Sequence, residues 1–213
     1  MKSMLIIFTA LVLWAAPVTA QDQIGIKGGL NFTNYGGEVS DNKMKMGLHL
    51  GAFVNFNIID QLYIQPELLY SLQGAHFENS SSNLDYNEHL HYINIPVLAR
   101  YFLTENISVH AGPYIGIKFA GQAKGTYFGS EIDRDIDEHR SLKSFDWGIA
   151  AGIAYQLMNR VNIGARVQFG IYNISDMPSF GGGGGDGIEP EYNYDSKLSN
   201  RVVQVYVGIP LKN

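Results

Sequence analysis

FDWGIAAGIAYQLMNRVNIGARVQFGI, residues 145–171, is two alternating segments joined at Met158-Asn159-Arg160. In the first, Phe145, Trp147, Ile149, Ala151, Ile153 and Tyr155 alternate with Asp146, Gly148, Gly152 and Gln156; in the second, Val161, Ile163, Ala165, Val167, Phe169 and Ile171 alternate with Asn162, Gly164, Arg166, Gln168 and Gly170. A period of two places successive side chains on opposite faces of a strand, so this stretch predicts a hairpin with one greasy row and one row of glycine, amide and charge.

The same pattern recurs outward in both directions. Ile24, Ile26, Leu30 and Phe32 alternate with Gly25, Lys27, Gly29 and Asn31; Met46 to Phe56 with Gly47, His49, Gly51, Phe53 and Asn55; and Leu62, Ile64, Leu68 and Tyr70 with Tyr63, Gln65 and Glu67. Ile93, Ile95, Val97, Ala99 and Tyr101 oppose Tyr92, Asn94, Leu98 and Arg100; Ile107, Val109, Ala111, Ile115 and Ile117 oppose Ser108, His110, Gly112, Tyr114, Gly116 and Lys118; Val203, Val205, Val207 and Ile209 oppose Gln204, Tyr206 and Gly208. Eight segments result. The links alternate strictly: Ile59-Asp60-Gln61, Thr104-Glu105-Asn106 and Met158-Asn159-Arg160 are short, whereas Gly36 to Lys43, Phe77 to Glu88, Gly121 to Leu142 and Asn173 to Asn200 are long. Short turns on one side and longer loops on the other, on an even number of strands, predict an all-β, eight-stranded antiparallel up-and-down transmembrane barrel.

The chemistry of the two rows sets the sidedness. A soluble sandwich or carrier buries its continuous apolar row and turns charge to water. Here the charged row is so rich in glycine that it suits the narrow interior of an eight-stranded barrel, which side chains fill. The other row is bare of charge, as a hydrocarbon-facing surface requires, since Lys or Arg at the bilayer midplane costs about 2–4 kcal/mol. A closed ring also pairs every backbone group, which hydrocarbon demands. Pro66, Pro96 and Pro113 fall inside proposed strands and donate nothing to a ladder, so bulges or local breaks in pairing are expected there.

Composition removes several classes. No apolar run beyond residue 20 reaches the roughly 18 residues of a spanning helix, which excludes a helical membrane protein. A net charge of -5 argues against nucleic-acid binding, and the absence of cysteine removes disulfides, thiol catalysis and cysteine-held metals. Residues 1–20 read as a secretory signal: Lys2, an apolar stretch from Met4 to Ala16, and a small-residue cleavage site at Val18-Thr19-Ala20. The barrel domain is then 21–213, exported to the bacterial outer membrane and expected to be monomeric and surrounded by outer-membrane lipid.

Several segments resemble the PorT-like outer-membrane β-barrel family: GIKGGLNFTNY (25–35), YINIPVLARY (92–101), AGPYIGIKFAG (111–121), FDWGIAAGIAYQL (145–157) and RVQFGIYNIS (166–175). The resemblance implies an eight-stranded outer-membrane barrel, no assigned activity for most members, and a secretion-accessory role for the namesake. It also implies handling by the barrel-insertion machinery, although such barrels usually end on an aromatic residue and this chain ends Pro210-Leu211-Lys212-Asn213.

The charged row gathers Lys27, Glu67, Arg100, Lys118, Asp146 and Arg166, four cations and two anions. These make either a polar conduit or an internal charge network that fills the lumen; the network is the reading taken, because small barrels have filled interiors. His76, His89, His91 and His139 fall in or near the long links without an assignable carboxylate behind them, so no metal or other cofactor is expected. Asp133-x-Asp135-x-Asp137 lacks the glycine and terminal glutamate of a calcium loop, having Glu138 and Ser144 there. Gly181 to Gly185 is followed by neither lysine with serine nor lysine with threonine, so it is no phosphate loop. Ser81, Asp85 and His89 share one link and could serve a barrel enzyme acting on lipid or peptide. Three functions stay open: a non-enzymatic structural, surface-binding or secretion-accessory barrel with an unidentified envelope partner, which is favoured; a barrel enzyme; and a soluble periplasmic lipid carrier.

Overall fold

The computed structural model describes residues 23–37, 42–79, 84–127, 130–135, 142–157, 161–175 and 198–211. The signal segment, the Met158-Asn159-Arg160 turn, Ser81, His139 and the run of glycines at 181–185 lie outside them.

The described residues form eleven strands: β1 (Gln23–Gly36), β2 (Asn42–Lys43), β3 (Lys45–Ile59), β4 (Leu62–Gln73), β5 (His76–Asn79), β6 (Leu84–Phe102), β7 (Ile107–Tyr127), β8 (Ser130–Asp135), β9 (Phe145–Leu157), β10 (Val161–Gly170) and β11 (Ser199–Pro210). Eight of them close a ring in the order β1-β3-β4-β6-β7-β9-β10-β11, and the ring shuts where Gly25 to Gly36 of β1 pair antiparallel with Pro210 to Ser199 of β11. β2, β5 and β8 are short additions on the long-link side.

The alternation read from the sequence is the alternation of the wall. Leu50, Ile149, Ile153 and Val205 point outward, about half exposed, while Lys27, Glu67, Arg100 and Arg166 point inward and are buried. An open sheet of this composition would leave charge in its core. Closure hides the polar row and leaves no edge, so away from three local gaps the strands of the band pair with one another all round the ring. A soluble carrier, with its charges outward, is therefore set aside.

The prolines break the ladder without shifting it. Pairing skips Val54 and Asn55 opposite Pro66 and Gln65, Glu67 and Leu68 opposite Pro96 and Ile95, and Val97 and Leu98 opposite Pro113 and Gly112, and the register is the same on both sides of each gap. Of the two outcomes expected at these residues, broken pairing occurs and bulging does not. The bulge in β7 lies elsewhere: Lys118 faces Tyr92 and Ala120 faces His91, so Phe119 is the extra residue and inward parity switches from even to odd beyond it.

Two of the expected loops are largely strand. β5, the first residues of β6, the last of β7, and β8 occupy much of Phe77 to Glu88 and Gly121 to Leu142. Pairing continues here because backbone hydrogen bonds form as well outside a bilayer as within it; only the apolar outer row stops. At the step between β4 and β5, Gly74 adopts φ 128°, and a β-carbon there would lie 1.9 Å from the Glu88 carbonyl oxygen. No other residue type fits.

Candidate functional site

The inward row meets in the middle of the barrel around one carboxylate. Glu67 on β4 accepts from the Lys27 ammonium of β1, from Gln65 Nε2 at 2.5 Å, and from Arg166 Nη1 of β10 at 2.9 Å. Arg166 donates its Nε and Nη2 to Gln204 Oε1 at 2.9 and 2.7 Å, and Gln204 Nε2 donates to Asn31 Oδ1 at 2.9 Å. Asn31 Nδ2 in turn donates to Ser71 Oγ at 3.0 Å, and Asn31 Oδ1 lies 2.8 Å from His49 Nδ1. The Tyr206 ring lies beneath the Lys27 ammonium, 4.1 Å from its centroid. Five strands thus supply a single hydrogen-bonded plug across the lumen.

Arg100, two residues from the short-turn end of β6, joins this plug through Gln65 Oε1 at 3.3 Å and also donates to Ser108 Oγ at 2.9 Å and Asn162 Oδ1 at 2.7 Å. Lys118 and Asp146 do not join it. Lys118 Nζ donates to the Leu142 carbonyl at 3.0 Å, and Asp146 Oδ2 accepts from Tyr114 Oη at 3.1 Å and Asn200 Nδ2 at 2.9 Å. The six charges read from parity all face the interior, but four form one network and two stand apart toward the long-link end.

Above those two the lumen changes character. Tyr35, Ala75, Phe77, Tyr86, Leu90, Tyr92, Leu142, Ile174 and Leu198 form a buried apolar cluster, with Phe77 stacked on Tyr86 at 4.8 Å. Glu88 is embedded at its side, accepting from Tyr35 Oη at 2.6 Å, while the Lys45 ammonium donates to the Glu88 backbone carbonyl. The interior is closed twice, by charge in the middle and by hydrocarbon at the outer mouth. Sequence reading missed this cap because Phe77, Tyr86, Leu142, Ile174 and Leu198 lie in segments taken as loops. Tyr86, Glu88, Leu90 and Tyr92 at every second position were the available signal.

Of the rim residues singled out, Ser81 lies outside the described residues, and Asp85 and His89 are not brought together. Asp85 and His89 sit four positions apart on one strand, roughly 13 Å by strand rise, and Asp85 instead faces His76 at 3.8 Å. His91 Nδ1 is engaged by Tyr70 Oη at 2.7 Å on the outer face. No group of three His, Cys, Asp or Glu residues able to hold a metal occurs among the described residues. Of the calcium-like run, Asp133 binds Gln122 Nε2 at 2.7 Å and faces Lys124 at 3.6 Å, a solvated surface pairing. Glu78 is likewise held by a hydrogen bond from Lys43 at 2.5 Å, which keeps its carboxyl below the usual carboxylate range.

Residues 19–176 match the family model described as the outer membrane protein beta-barrel domain. The chain belongs to that family. Its place is the bacterial outer membrane, and its ring of eight strands is the family's transmembrane barrel. No curated protein matches it. Neisserial surface protein A is similar in structure at 10% identity and a TM-score of 0.50, over 87% of this chain and 96% of that one. Ail, the attachment invasion locus protein of Yersinia pestis, aligns at 13% identity and a TM-score of 0.48, over 89% of this chain and 99% of that one. OprG from Pseudomonas aeruginosa aligns at 15% identity and a TM-score of 0.41, over 91% and 97%. At such identities the likeness speaks to the fold alone.

Proposed function

We propose that this outer-membrane barrel is a monomeric, non-enzymatic surface-binding protein whose lumen is shut and whose working part is the sheet that stands beyond the bilayer. The observation that carries the reading is strand length. β6 has 19 residues and β7 has 21, whereas a tilted strand crosses the hydrocarbon in about 9–11. Their outer ends, with β5 and β8 alongside, make a four-stranded projection in the order β5-β6-β7-β8. A projecting sheet offers a rigid face on which polar side chains are displayed, the usual requirement for recognition without turnover. The separation of Asp85 from His89 favours this over a hydrolase. The PorT-like segments favour an accessory of a secretion or envelope assembly as the setting, and the signal-like residues 1–20 favour export by cleavage before Gln21.

Cross-linking in intact outer membranes tests it. The full chain is expected to capture a discrete neighbour that is lost when residues 122–135 are replaced by a short turn, with insertion of the barrel unchanged. Capture that ignores the replacement contradicts the reading, as does phospholipid deacylation or proteolysis by the purified barrel that His89→Ala abolishes.

A further inference from the structure

Charge is unbalanced in the short-turn half of the lumen. The central network holds three cationic groups, Lys27, Arg100 and Arg166, and one carboxylate, Glu67, all of them buried. Glu67 is shared between Lys27 and Arg166. Arg100 spends its three nitrogens on a serine hydroxyl and two side-chain amides, all neutral oxygens, and has no carboxylate partner among the described residues. Sequestering a cation from water costs several kcal/mol unless an anion answers it. A second observation falls at the same place. His110 is the direct cross-strand neighbour of Arg100, it is 4% exposed, and its Nε2 has no hydrogen-bond partner. Its other strand neighbour is Gly152, which pairs with Arg166, so one cross-strand row runs Arg100, His110, Gly152, Arg166. An unanswered imidazole nitrogen thus lies between two guanidinium strands, with the Lys27 ammonium over the same Tyr206 ring that His110 meets edge-on at 6.2 Å.

We propose that this half of the lumen binds a small inorganic anion of chloride size, taken up through the short-turn mouth and held by Arg100 and His110 in the field of Lys27 and Arg166. The anion answers the surplus charge and accepts from the imidazole in the tautomer that carries its proton on Nε2. The site goes beyond the surface-binding reading and does not depend on it.

The test is thermal unfolding of the full chain in detergent micelles, followed by loss of β-sheet circular dichroism, as sodium gluconate is replaced by sodium chloride at constant ionic strength. A ligand at about ten times its Kd raises the midpoint by about 3–6 °C in a chain of this size. The wild type is expected to show that saturable rise, Lys43→Ala at the outer rim to keep it, and Arg100→Met and His110→Phe to lose it. Equal midpoints in the two salts, or an unchanged rise in both lumen variants, would overturn the proposal. Should neither variant fold, crystals of the wild type grown with bromide decide: an anomalous peak within hydrogen-bond reach of Arg100 and His110 supports the site, and its absence there overturns it.

Discussion

Arg166 Nη1 lies 2.9 Å from Glu67 Oε2, joining residues 99 positions apart on β10 and β4, strands that do not pair with each other. The contact crosses the lumen, so it reports closure of the ring as no contact between neighbouring strands could. With Lys27 on the other carboxylate oxygen, Glu67 is the hinge of the plug.

Replacing Glu67 with glutamine leaves two buried cations facing a neutral amide. Breaking a buried pair from one side costs about 3–5 kcal/mol, so the Glu67→Gln barrel is expected to unfold at a clearly lower urea concentration in micelles. The combination Lys27→Met, Glu67→Leu, Arg166→Met, which removes the charges together, is expected to recover most of the loss.

How far the sequence carried this site is visible in these residues. Side-chain parity placed Lys27, Glu67, Arg100 and Arg166 inside, because a period of two is all that inward and outward require. It could not say that Arg166 reaches Glu67 while Asp146 does not, since the height of a residue in a closed ring depends on the stagger between strands, and stagger leaves no mark on a single segment. The outer ends of β6 and β7 were illegible for a different reason. Beyond the bilayer the outward row carries His89, His91, Gln122 and Lys124 and no longer contrasts with the inward one, and the bulge at Phe119 reverses parity partway.

The apolar cap should matter to stability independently of the plug. Leu90 is wholly buried among Tyr35, Phe77, Tyr86 and Tyr92. Leu90→Ala is expected to cost about 2–5 kcal/mol by opening a cavity, measured as a lowered unfolding midpoint, and its effect should add to that of Glu67→Gln because the two clusters share no residue.

Gly74 predicts a local failure. With φ at 128° and the Glu88 carbonyl in the way, Gly74→Ala must displace the step between β4 and β5. Protease added to intact cells is expected to cleave the β5–β6 region of the variant faster than that of the wild type, while the ring persists in the membrane. Equal cleavage would show the step to be tolerant.

Charge on the outer face should be penalised by depth. Leu50→Arg, in the middle of β3 and 59% exposed, is expected to cost about 2–4 kcal/mol in lipid, whereas Ile59→Arg, beside the short turn and 65% exposed, should cost about 0–1 kcal/mol. Unfolding in lipid vesicles measures both. Similar small costs at the two sites would mean that Leu50 faces water.

The sidedness of the wall is tested most directly by spin labels, which the absence of native cysteine allows to be placed singly. Labels at Ile153 and Val205, in vesicles of outer-membrane lipid, are predicted to collide readily with dissolved oxygen and poorly with a water-soluble nickel complex. Ready collision with nickel at both positions would contradict a barrel whose greasy row looks into hydrocarbon.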